Sequence, residues 1–128
     1  MWDGGVRKMD ELVERLVANT GVPRTAAEQS IGIIFDFLKK EGPPDKVQAL
    51  LEKLPGSEFY LQSAEAGGDG GMFMSGIMGA GTRMMSAGLS MDQVQAVTRE
   101  TIAFAREKAG EDAVGDIVSA VPGLGQFV

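Results

Sequence analysis

The residues best suited to chemistry form an acidic group near the end of the chain, namely Glu107, Glu111, Asp112 and Asp116. Carboxylate oxygens are the ligands that Ca²⁺ and Mg²⁺ take in proteins. The spacing of these four, however, is not that of a known cation-binding loop, and the helix dipole favours acids in a first turn. We therefore interpret the group as a solvated helix start, and the sequence predicts no metal site.

A glycine-rich run at 76–82, Gly-Ile-Met-Gly-Ala-Gly-Thr, superficially resembles a phosphate-binding loop. Such loops cradle phosphates with backbone N–H groups and need a strand before them and a lysine within them. This run has neither the Walker lysine nor a preceding strand. Nucleotide binding is therefore not predicted, and no cofactor is expected.

Histidine and cysteine are both missing from the chain. Their absence removes the commonest general base, thiol catalysis, disulfides and thiolate metal sites. The candidates that remain for acid–base work are pairs of serine and lysine together with Asp36, Tyr60 and Glu100. Asp36 lies off the main apolar stripe of its helix, which predicts a solvated side chain. We therefore predict no catalytic residue and expect a protein that is not an enzyme.

The charge balance is acidic, with 18 acidic and 12 basic residues and a net charge of −6. No basic tract is present, which argues against nucleic acid as a partner. The N-terminus lacks the apolar core of a signal peptide, so a cytoplasmic location is expected. A length of 128 residues predicts one domain, 1–128, with one core.

The chain repeats its pattern at a gapless offset of 67 residues, which pairs Gly21 with Gly88 and Phe37 with Phe104. Residues 5–61 correspond to 72–128, and the glycine-rich segment 67–71 connects them. Apolar residues recur at helical spacing in both halves, and no segment indicates a strand. The sequence thus predicts an all-α fold of six or seven helices, in two similar three-helix halves packed with pseudo-two-fold symmetry. Two unrelated helical hairpins with generic caps are the alternative.

The predicted helix boundaries follow from capping and breaking residues. The long helices are expected at about 24–41 and 91–108, and a short helix is expected at 57–66. Capping boxes are predicted at 25–28, Thr-Ala-Ala-Glu, and more clearly at 90–93, Ser-Met-Asp-Gln.

The segment from Met72 to Ala87 departs from helix propensity while staying apolar. Each of its internal glycines costs a helix about 1 kcal/mol relative to alanine, and six of the eight methionines lie between Met72 and Met91. Small residues permit close helix approach, and methionines adapt to different surfaces. The candidate interaction surface comprises Met72, Met74, Gly76, Met78, Gly79, Ala80, Met84 and Met85.

Three interpretations of this segment remain open: a helix packed tightly inside the monomer, a self-association or partner surface, and membrane association. Arg83 interrupts the apolar run, and its length is marginal for a span. No membrane span is therefore predicted.

Several short motifs resemble a bacterial family of unknown function, the VcgC/VcgE-like family. They are Glu11-Leu12-Val13, Gly21-Val22, Ala26-Ala27, Leu54-Pro55-Gly56, the Gly/Met run and Gly88-Leu89-Ser90-Met91. The resemblance covers most of residues 9–121, although the middle of this chain is richer in methionine than the family pattern. It implies neither an activity nor a catalytic residue.

These features together predict a non-enzymatic helical interaction module that self-associates or binds a protein partner. The main alternative is a protein that binds a small apolar ligand in a pocket between the two halves, near Met72 to Met85. An enzyme that uses a carboxylate is a third interpretation. The first two differ in whether the methionine face meets another chain or encloses a cavity.

Overall fold

The computed structural model describes residues 4–54, 56–58, 60–61, 76–121 and 123–126. Within these residues the chain is helical and has no strand, which confirms the all-α prediction. The long elements are α1 (Gly4–Thr20), α2 (Arg24–Glu41), α3 (Pro44–Glu52), α4 (Gly76–Ser86), α5 (Met91–Ala109) and α6 (Glu111–Ala120), followed by a 3-10 turn at Leu124–Gln126. Residues 57–58 and 60–61 are also helical, as expected for the short helix, whose remainder at 62–66 lies outside the described residues.

Helix α2 is the centre of the molecule. All eight residues from Ile31 to Leu38 are buried, although an amphipathic surface helix would bury only one stripe. The reason is that α2 packs against four other helices, α1, α3, α4 and α5. Helix α5 is the corresponding element of the second half, and it packs against α1, α2, α4 and α6.

The helix contacts keep the same pattern when the two halves are exchanged. Helix α1 packs on α2 as α4 packs on α5, and α3 packs on α2 as α6 packs on α5. Across the halves, α1 packs on α5 while α4 packs on α2. The pairs α2–α5 and α3–α6 each map onto themselves. A two-fold arrangement of the halves requires this pattern, and their superposition stays a prediction.

Helix boundaries also follow the 67-residue offset. Shifting α2 by 67 gives 91–108, and α5 runs from Met91 to Ala109. The first helix of each half is followed by a glycine with positive φ, 77° at Gly21 and 110° at Gly88. A side chain would be strained at either position, so glycine permits the same sharp helix end in both halves.

The two predicted capping boxes have different outcomes. The Ser90 hydroxyl accepts a hydrogen bond from the Gln93 N–H at 3.2 Å, and the Gln93 side chain accepts one from the Ser90 N–H at 3.0 Å, which confirms that box. The capping box at 25–28 is wrong. Helix α2 begins at Arg24 after Pro23, so Thr25 already lies inside the first turn and no side chain caps the helix.

None of the described helices combines the length and the hydropathy needed to cross a membrane.

Candidate functional site

An apolar cleft of about 100 Å³ lies between the two halves of the molecule. Helix α2 forms one wall, and α4 and the first turns of α5 form the others, with the 3-10 turn closing one end. The lining residues are Ile34, Phe37, Ala80, Gly81, Thr82, Met84, Met85, Met91, Val94, Thr98 and Leu124. The cleft therefore needs residues from both halves.

The cleft exists because α4 presents small residues beside the ring of Phe37. A Cβ built on Gly81 would meet no heavy atom within 4 Å, so the space beside this glycine is open. Met84, by contrast, is buried and fills the base of the wall. Gly81 belongs to the cleft lining and has no side chain with which to fill the space.

The lining of the cleft offers very little polarity. Its described residues include no charged side chain, and only Thr82 and Thr98 carry side-chain hydroxyls. The Thr98 hydroxyl donates to the Val94 carbonyl oxygen of its own helix at 2.8 Å. An apolar guest would thus lose few hydrogen bonds to water on entering, whereas a charged one would find no partner in the lining.

The candidate interaction residues fall into three groups. Met72, Met74 and the side chain of Met78 lie outside the described residues, and Gly76 begins α4. Gly79 is buried, and Ala80 is half-buried against the core. Ala80, Met84 and Met85 line the cleft. Helix α4 packs along α2 and buries Gly79, which favours the first of the three interpretations for this part of the segment.

Among the described residues that line the cleft, two methionines are exposed to solvent. The exposed fraction is 41% for Met85 and 54% for Met91, against 1% for Met84. Met91 was not among the predicted site residues. The 67-residue offset contains a signal for the cleft, because it aligns Gly81 and Thr82 with the larger Glu14 and Arg15.

The prediction of a solvated Asp36 is wrong. Its side chain is only 1% exposed, and one oxygen, Oδ2, accepts from Arg83 Nη1 at 2.9 Å and from Lys40 Nζ at 3.1 Å. The stripe argument failed because α2 is surrounded by helices on all sides. Oδ1 of Asp36 accepts no hydrogen bond from the described residues. The ion pair with Arg83 joins α4 to α2 close to the cleft wall.

The other predicted acid–base candidates lie away from the cleft lining. Glu100 accepts from Arg15 at 3.4 Å. Burial, together with the negative charges of Glu28 and Asp10, raises the pKa of the Tyr60 hydroxyl, which keeps this group protonated at neutral pH. The described residues therefore bring no acid–base pair to the cleft.

The acidic group of the C-terminal region is spread over separate contacts. Glu107 pairs with Arg15 at 3.0 Å and Asp116 with Lys46 at 3.2 Å. Glu111 and Asp112 are exposed in the first turn of α6. Over the described ranges, no three acidic side chains converge as a metal site would need.

Comparison of the chain with protein-family models, with curated proteins and with solved structures returned no match. The resemblance to the VcgC/VcgE-like family stays an expectation from short motifs.

Proposed function

We propose that the protein binds a small apolar molecule, or the apolar end of a larger one, in the cleft between its halves. The observation that supports the proposal is the apolar lining of a cleft of about 100 Å³. A closed apolar cavity of about 150 Å³ is large enough to hold benzene. The cleft suits a group of this order, such as a single ring or a short alkyl chain, with any remainder leaving between Met85 and Met91.

This function is favoured over self-association because three residues of the candidate surface, Ala80, Met84 and Met85, line the cleft. Among the described residues of α4 and the start of α5, Gly79 is buried, whereas Met85 and Met91 are exposed. A stable interface buries about 800 Å² per partner and is anchored by large side chains, and the two exposed methionines that the structure describes provide much less. The exposure of these two methionines nevertheless supports self-association as the second candidate function. Both candidate functions are non-enzymatic, and both are proposed for a cytoplasmic protein.

The test of the binding function uses a neutral fluorescent probe, N-phenyl-1-naphthylamine, titrated into the purified protein. We expect saturable binding to the wild type. Gly81→Leu should abolish it, because Gly81 lines the cleft and a Cβ at this position meets no heavy atom within 4 Å, so a larger side chain has room to occupy the binding space. The same substitution removes a helical glycine, so the free energy of unfolding should rise by about 1 kcal/mol.

The chain provides a matched control in Gly115, a helical glycine of α6 outside the cleft lining, beside which an added Cβ also meets no heavy atom within 4 Å. Gly115→Leu should leave probe binding unchanged. Equal loss of binding in both variants, or no binding by the wild type, would contradict the proposal. Light scattering at high micromolar concentration tests the second candidate, since a monomer there rules out self-association.

A further inference from the structure

Met85 and Met91 stand on opposite helices at the mouth of the cleft. Met85 belongs to the last turn of α4, and Met91 is the first residue of α5. Both line the cleft and are also solvent-exposed, at 41% and 54%, whereas Met84 lines the same cleft at 1%. One site thus contains two exposed methionines and one buried methionine.

Accessibility decides which thioethers can react with a hydroperoxide. The sulfur lone pair attacks the terminal peroxide oxygen, so that an S–O bond forms and the O–O bond breaks. The thioether is oxidised by two electrons to a sulfoxide, and the peroxide is reduced to water or an alcohol. Because the chain has no cysteine, methionine thioethers are its most readily oxidised sulfurs.

Oxidation would change the chemistry of the cleft mouth. A sulfoxide oxygen is a strong hydrogen-bond acceptor, and the Thr98 hydroxyl in the lining already donates to the Val94 carbonyl. A sulfoxide turned inward would place a polar group beside an apolar guest. A sulfoxide turned outward would remove the apolar side chain from the rim. Both outcomes weaken the binding of an apolar ligand.

We propose that Met85 and Met91 are oxidation sites through which hydroperoxides lower the affinity of the cleft for apolar ligands. The change is reversed when a thiol-dependent methionine sulfoxide reductase supplies two electrons and returns each sulfoxide to the thioether, with the oxygen leaving as water. This inference rests on the proposed binding function. The modified groups are the thioethers of Met85 and Met91, and the reactant is a hydroperoxide.

The order of oxidation can be read from one peptide. Trypsin cleaves after Arg83 and Arg99, and the resulting peptide 84–99 contains Met84, Met85 and Met91 and no other methionine. After brief treatment of the folded protein with hydrogen peroxide, fragmentation of this peptide should show sulfoxide at Met85 and Met91 at least about tenfold faster than at Met84. Equal rates at all three positions would overturn the assignment.

The effect on binding is measured with the same neutral probe before and after peroxide. The Kd of the wild type should rise about tenfold, the size expected for one poorly paired polar group. Methionine sulfoxide reductase should restore it, and circular dichroism should show unchanged helicity throughout. The Kd of the double variant Met85→Leu/Met91→Leu is measured before and after peroxide and compared only with itself. Peroxide should leave that Kd nearly unchanged, because neither leucine can be oxidised to a sulfoxide.

The outcomes separate this inference from the function on which it rests. If the wild type with unoxidised methionines binds no probe, the proposed binding function is wrong. The proposed effect of oxidation on affinity is then wrong as well. If the reduced protein binds the probe and complete oxidation at Met85 and Met91 leaves the Kd unchanged, only the present inference is overturned. A peroxide effect of equal size in the double leucine variant would also overturn it.

Discussion

Two phenylalanines that the 67-residue offset relates, Phe37 and Phe104, have different surroundings. The Arg15 guanidinium lies 5.6 Å and the Lys108 ammonium 5.4 Å from the centre of the Phe104 ring. Arg15 is held there by contacts with acidic groups of α5. The position equivalent to Arg15 in the second half is Thr82, and there the ring of Phe37 lines the open cleft.

The same arrangement of helices thus covers the Phe104 ring in one place and leaves the Phe37 ring beside an open cleft at the equivalent place. The aliphatic part of an arginine covers apolar surface while its charged end reaches solvent and carboxylates. The guanidinium also gains from the face of an aromatic ring. Glycine and threonine at the equivalent positions are too short for either contact. Side-chain length on the first helix of each half thus decides which phenylalanine borders an open cleft.

The first test breaks the ion pair between Asp36 and Arg83. The equivalent positions in the other half hold Ala103 and Leu16. Arg83→Leu leaves the buried Asp36 carboxylate with Lys40 alone and should lower the free energy of unfolding by about 3 kcal/mol.

The double variant Asp36→Ala/Arg83→Leu reproduces the apolar pair of the other half. It should return to within about 1 kcal/mol of the wild type, because no unpaired charge remains buried. Urea denaturation of the two variants and of Asp36→Ala measures the coupling. Additive losses would show that the two groups act independently.

The two rings themselves provide the second test. Phe104→Ala should lower the free energy of unfolding by about 3–5 kcal/mol, since it empties a closed site. Phe37→Ala should cost about 1–2 kcal/mol less, because part of its ring already borders empty space. It should also let the cleft accept a larger probe. Chemical denaturation checks the energies, and equal losses at both positions would contradict the contrast between closed and open sites.

A third test converts the closed site into an open one. Arg15→Thr gives α1 the residue that α4 has at the equivalent position, and it should expose the Phe104 ring to a ligand. Probe stoichiometry should rise from one towards two, with a stability loss of about 1 kcal/mol from the lost ring and carboxylate contacts.

Arg99→Thr is the control for the third test, because Arg99 is an exposed arginine on α5. It should alter neither the stoichiometry nor the stability by a measurable amount. An unchanged stoichiometry in Arg15→Thr would show that more than the arginine closes the Phe104 site.

The smallest change in the free energy of unfolding is expected at the starts of the two central helices, α2 and α5. Ser90→Ala removes the cap of α5 and should lower the free energy of unfolding by about 1 kcal/mol. Thr25→Ala should change it by less than about 0.3 kcal/mol, because Thr25 is exposed and caps nothing. Thermal melts of both variants against the wild type measure this difference. Equal losses would mean that Thr25 stabilises α2 in some other way.

Local patterns in the sequence predicted the helices closely. Helix α2 was expected at 24–41 and runs over Arg24–Glu41, because glycine and proline break helices by their own backbone properties. The capping box at Ser90 was also predictable, since its two hydrogen bonds join residues three apart. The 67-residue offset aligns the short Thr82 with Arg15. This alignment already indicated that the Arg15 side chain beside the Phe104 ring has no equivalent beside the Phe37 ring.

Only the tertiary structure decided which surfaces of those helices meet. Asp36 is buried because four helices surround α2, and no periodicity along one helix reports the number of its neighbours. The partnership of Asp36 with Arg83 joins residues 47 positions apart. The cleft likewise depends on residues from α2, α4, α5 and the 3-10 turn, whose side chains leave a volume unfilled. Packing is a property of all neighbours at once, whereas the sequence determines directly only what each segment does alone.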